Sequence, residues 1–135
     1  MLVVFDANVV ASGVCWRGEA WLCLVKLARR QAFACGTEYT LHETRETTTR
    51  LIRELSPRHN AAGLLTWYLQ KVRLVEPQPL GKQRSRDAKD DPYLAAALAA
   101  RARCIVTYDD DLLALGKPFG VEIIRPSQFL KLLKG

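Results

Sequence analysis

Short apolar runs, without the polar alternation of a half-exposed strand, constrain this chain most. Leu2-Val3-Val4-Phe5 and Cys104-Ile105-Val106-Thr107 offer both faces of a strand to apolar neighbours. Similar segments at residues 31–35, 72–75 and 121–124 complete a set of five expected strands. Helical patterns separate them. Trp21, Leu24, Val25 and Ala28 recur at helical spacing, with Arg29 and Arg30 where a helix C-terminus favours cations. Before them, residues 6–10 lead through Ser12-Gly13 toward that helix. Thr37 is an N-cap for a helix to about Leu55, and Asn60 caps another through Leu69. Asp91, at a cap position with Pro92 after it, opens an Ala/Leu-rich helix to Arg103. A short helix over 112–115 and a last one after Pro126-Ser127 follow. Strands buried on both faces and alternating with helices predict a three-layer α/β/α sandwich around a central, mainly parallel five-stranded sheet. At 135 residues one domain, 1–135, accommodates all of it.

Every aspartate falls at the end of an expected strand or the start of an expected helix: Asp6; Asp87, Asp90 and Asp91; Asp109, Asp110 and Asp111. In parallel sheets, ligands bind beyond the carboxyl ends of the strands, where strand order reverses. Neighbouring strands lie about 4.8 Å apart, so acids at two strand ends can converge on one divalent cation. Without a cation they would repel and raise one another's pKa values. Mg²⁺ and Mn²⁺ take such oxygen ligands together with substrate phosphate. The reaction suited to that site is phosphodiester hydrolysis by a metal-activated water. It requires no side-chain nucleophile, and His42 and His59 lie near no base–nucleophile pattern.

The remaining charge is basic, 20 Lys and Arg against 14 Asp and Glu, which favours a polyanionic partner. Lys82, Arg84, Arg86 and Lys89 gather beside the middle acidic cluster, and Arg17 lies near the first. Together they are the candidate phosphate-facing cations. Trp16 is a candidate for stacking on bases, whereas helical spacing assigns Trp21 and Trp67 to packing. Cys15, Cys23, Cys35 and Cys104 lack zinc-site spacing and read as reduced thiols of a cytoplasmic protein. No apolar run reaches the length of a membrane span, and no secretory leader opens the chain.

Asp6-Ala7-Asn8-Val9-Val10, the segment Arg86 to Ala97, and Ile105-Val106-Thr107-Tyr108-Asp109-Asp110-Asp111-Leu112-Leu113 resemble, in order, three motifs of the PIN-domain ribonucleases. The chain resembles in particular the VapC-like toxins of bacterial and archaeal toxin–antitoxin pairs. The resemblance runs from Leu2 to about Gln128, with Ala7 where the family usually has threonine. It implies a PIN-like, Rossmann-like fold, Mg²⁺ or Mn²⁺, an RNA substrate, a small antitoxin and a homodimer. It also implies four acids as metal ligands and catalytic groups: Asp6, Asp90, Asp109 and one from the helix after the second strand. Glu43 and Glu46 compete for that place. Glu43 flanks the Leu41/Thr44/Thr48/Leu51 face, whereas Glu46 lies opposite it and suits a surface pair with Arg50, so Glu43 is preferred. Asn8, Thr107, Asp87 and Asp111 are expected as outer neighbours that orient the set. Two other readings compete with the nuclease. A phosphatase with an aspartate nucleophile would want a second acid where Asn8 stands. A PIN-like module that binds RNA or assembles without cutting keeps the acids but not the reaction.

Overall fold

The computed structural model describes residues 1–134. Five strands, β1 (Leu2–Phe5), β2 (Phe33–Gly36), β3 (Arg73–Leu74), β4 (Cys104–Val106) and β5 (Glu122–Ile124), form one sheet in the order β3-β2-β1-β4-β5. Every pairing is parallel. The earliest strand is therefore the central one, and the chain winds outward from it in both directions.

Burial on two sides explains the apolar runs. Val3 and Phe5 of β1, with Cys104 and Val106 of β4, face one cluster with α1 (Ala7–Cys15), α2 (Glu19–Ala28), α4 (Ala61–Lys71) and α7 (Pro126–Lys134). Val4 and Ile105 face the other, against α5 (Asp91–Ala100) and Leu112 of α6 (Asp110–Leu113). The long helix α3 (Glu38–Leu55) lies beside α1, and its Thr37 and Thr40 form a reciprocal capping box. Its buried residues are Thr40, Thr44 and Thr48, whose methyl groups take the place of larger apolar side chains.

Three local expectations are corrected. Helix α1 starts at once after Asp6 instead of beyond Gly13. Its glycine belongs to the helix because α2 crosses there: a Cβ on Gly13 would stand 2.8 Å from Leu24 Cδ1 and 2.9 Å from the Ala20 carbonyl oxygen. Helix α5 ends at Ala100 and not Arg103, because Arg101 turns left-handed at φ 53° and closes the helix. Asp91 is the first residue of α5 and not its cap; Asp90 holds the cap position. The Asp91 carboxylate instead accepts hydrogen bonds from the Arg84 and Ser85 N–H groups, at 2.9 and 2.7 Å, and from the Ser85 hydroxyl. It thus ties the loop over 80–89 to the start of α5. Burial pushes the Asp91 carboxyl up, but these bonds outweigh it and hold the group below the usual range.

A candidate metal centre at the switch point

Strand order reverses between β1 and β4, the place where open α/β sheets present ligands. Asp6 lies just beyond β1, and its N–H continues the β1–β4 pairing to the Val106 carbonyl at 3.0 Å. It precedes α1 without a side-chain cap bond. Its carboxylate accepts from the Thr107 hydroxyl at 2.7 Å, and the same hydroxyl oxygen accepts from the Asp109 N–H at 2.9 Å. Thr107 is fully buried and thus holds the first and last acidic motifs in register. Asp109 also caps α6 through the Asp111 N–H at 2.8 Å.

Asp90 ends the 3₁₀ turn Ala88–Asp90, which Asp87 caps through the Lys89 N–H at 3.0 Å. Its side chain is buried and one oxygen, Oδ2, has no hydrogen-bond partner. Carboxylate oxygens of Asp90, Asp109 and Asp111 lie within 4.8 Å of one another. Burial first, then the charges of Asp109, Asp6, Asp87 and Asp111, push the Asp90 carboxyl up from 3.8 to about 7. Asp6 is also raised, mainly by burial, with the charges of Asp109 and Glu43 adding to it and the Thr107 hydroxyl and Asn8 backbone opposing it.

The structure gathers Asp90 and Asp109 with Asp111; Asp6 and Glu43 stand outside that cluster, Asp6 joined to Asp109 through the Thr107 hydroxyl and Glu43 sharing the Tyr93 hydroxyl with the Ala7 N–H. Asp111, expected as an outer neighbour, is one of the three acids whose oxygens actually cluster. Asn8 acts on Asp6 through its backbone, and its side chain is exposed. Of the expected cations, Arg86 reaches Asp111 at 3.4 Å. Arg84 turns inward to the Leu80 carbonyl at 3.0 Å and over the Phe119 ring at 5.1 Å. Arg17 covers the Trp21 ring at 4.9 Å, while Lys82 and Lys89 are exposed. Glu46 lies 4.0 Å from His42, four residues before it, and makes no ion pair with Arg50, four residues after it.

Sequence reasoning missed Tyr93. Its side chain, on α5, is buried; its hydroxyl donates to Glu43 Oε1 at 2.5 Å and lies 3.4 Å from the Ala7 N–H. Burial, with Glu43 as acceptor and neighbour, pushes the phenol far up, so it remains a donor. A tyrosine in an alanine-rich helix signals only packing; its partner lies 50 residues away. Tyr93→Phe is expected to weaken Mn²⁺ binding about tenfold, the lower range for groups that orient a ligand, with Tm nearly unchanged. Isothermal titration and thermal melts check both parts.

An oxygen-only donor set, with an unpartnered buried oxygen and acids held against their own repulsion, fits a hard divalent cation. The fold and site define an α/β domain with an acidic, cation-ready pit at its switch point. The chain belongs to the PIN domain family, whose model matches residues 2–111. No curated protein matches it in sequence. Among solved structures it is similar to VapBC2 from Rickettsia felis, bound to a DNA fragment from their promoter. The identity is 10%, the TM-score 0.59, and 91% of this chain and 97% of that one are covered. It is also similar to FitAcB from Neisseria gonorrhoeae, with 16% identity, a TM-score of 0.50 and coverage of 93% and 98%. At such identities the likeness is one of fold. No helix among the described residues is long and apolar enough to cross a membrane.

Proposed function

We propose that this PIN domain is a Mg²⁺- or Mn²⁺-dependent endoribonuclease and the toxin of a toxin–antitoxin pair. The observation that carries the reading is the gathering of Asp90, Asp109 and Asp111, with one Asp90 oxygen left without a partner and Asp6 tied to Asp109 through Thr107. In this proposal Asp6, Glu43, Asp90 and Asp109 are the metal ligands, with Asp111 beside them. A bound ion supplies a water of lowered pKa and a positive charge for the phosphoryl oxygens. Thr107 fixes the directions of Asp6 and Asp109, and Tyr93 fixes that of Glu43. Asp87 sets the turn that delivers Asp90. Arg86, Lys82 and Lys89 line the rim where a phosphate chain would approach, and Arg86 already neutralises part of the acidic charge.

The similar structures are VapBC2 and FitAcB, which supports a small protein antitoxin as partner. An apolar groove of about 290 Å³ between α2 and α4, lined by Trp21, Leu24, Val25, Ala28, Leu64 and Trp67, offers such a partner a seat. Homodimerisation belongs to the same reading. Four buried free thiols suit a reducing cytoplasm.

The test is cleavage of single-stranded RNA by the purified protein. EDTA should abolish it and Mn²⁺ restore it, an effect of more than about 100-fold. RNA binding that survives EDTA, with no cleavage in Mn²⁺, would replace the nuclease by a non-cutting RNA-binding module.

A further inference from the structure

A second groove opens beside the acidic pit, between α1 and α3. It has a volume of about 290 Å³, and Asn8, Ser12, Trp16, Thr47, Arg50 and Glu54 are among the residues that line it. Its position follows from helical spacing. Asn8 stands two residues after Asp6, and Ser12 and Trp16 follow at intervals of four. Thr47, Arg50 and Glu54 stand four, seven and eleven residues after Glu43, along the same face of α3. The groove therefore begins where the acids end and continues along both helices. At 1.5 Å per residue, Arg50 lies about 10 Å along α3 from Glu43.

Its chemistry is not that of a packing defect. Trp16, just past the end of α1, is 51% exposed, a large aromatic with no partner across it. Arg50 is exposed and makes no ion pair within 4.0 Å among the described residues. Amide and hydroxyl groups of Asn8, Ser12 and Thr47 line the same groove. An aromatic face, a free guanidinium and small polar side chains match a single nucleotide, with its base stacked, its phosphate held and its sugar hydrogen-bonded. Glu54 at the far end repels a further phosphate, so the track is short.

We propose that the α1–α3 groove holds the nucleotide flanking the cleaved phosphodiester, with Trp16 stacking on its base and Arg50 holding its phosphate. This rests on the ribonuclease reading and adds the strand's path across the protein. Specificity then resides partly in Trp16 and Arg50, away from the metal.

The test is fluorescence anisotropy of a labelled, short single-stranded RNA, with Ca²⁺ in place of Mn²⁺ and across a salt series. Trp16→Ala should weaken binding about tenfold and leave the salt slope unchanged. Arg50→Gln should lower the slope of log K against log salt by about 0.7, and Arg50→Lys should restore it. Mn²⁺ affinity, measured separately, should be unchanged in all three variants. Wild-type RNA affinity in Trp16→Ala, an unaltered slope in Arg50→Gln, or no RNA binding by the wild type would overturn the proposal. RNA binding with the expected dependence but no cleavage in Mn²⁺ would defeat the nuclease reading and leave the groove standing. Cleavage with unchanged KM in both Trp16→Ala and Arg50→Gln would do the reverse.

Discussion

Asp90→Asn is expected to reduce RNA cleavage more than about 100-fold and, in the metal-free protein at pH 8, to raise Tm by several degrees. The first half follows because groups that merely orient a metal ligand already cost about 10–100-fold when removed, and a ligand should cost more. The second half follows from charge. Asp90 is pushed from 3.8 to about 7 by burial and by four neighbouring aspartates. Below the carboxyl's unfolded value near 4, the group is protonated in both states and carries no penalty. Between about 4 and 7 the folded protein holds the extra proton, so its stability falls as pH rises. Above about 7 the loss is complete, on the order of 2–4 kcal/mol and toward the lower figure because solvent screens the rim. Asparagine keeps the shape, removes the charge and donates hydrogen bonds to its acidic neighbours. Melts with and without Mn²⁺ at pH 5 and pH 8 read the whole cycle. Mn²⁺ should raise the wild-type Tm far more at pH 8, and hardly at all in Asp90→Asn. A variant that melts below wild type at pH 8 without metal would show that the acids are not strained against one another.

The second large effect is at Thr107. Its hydroxyl donates to Asp6 and accepts from the Asp109 N–H, with no exposure to water that could replace either bond. Thr107→Val keeps the volume and removes both. An N–H and a charged carboxylate oxygen would be left without these partners, at a cost of about 2–4 kcal/mol. Asp6 loses the contact that opposes its burial, so its carboxyl is pushed further up. Weaker Mn²⁺ binding by about 10–100-fold should accompany the lost stability. Thr107→Ser keeps the oxygen and should retain most metal affinity while losing some packing. Urea unfolding and Mn²⁺ titration of both variants separate the hydroxyl from the methyl.

Much of the architecture is legible in the chain because both-face burial writes itself as uninterrupted apolar runs. Val3 and Val4 face opposite layers, and neither position tolerates a charge. The helical phase of α3 also orders its two candidate acids: Glu43 turns toward Tyr93, and Glu46 is exposed beside His42. Other features depend on contacts that periodicity does not encode. Asp91 has the sequence of a helix cap, yet it holds Arg84 and Ser85 because the loop before it folds back. Gly13 looks like an interruption before a helix and is instead the point where α2 crosses α1. Asp111 in the cluster also donates its N–H to the Asp109 carboxylate, the cap of α6, a contact that periodicity does not encode.

The sheet is wound from its middle, with β1 synthesised first and β4 inserted beside it late. During translation, Asp6 leaves the ribosome long before Asp109 exists to face it. A nascent chain that lacks β4 therefore has no assembled acidic cluster.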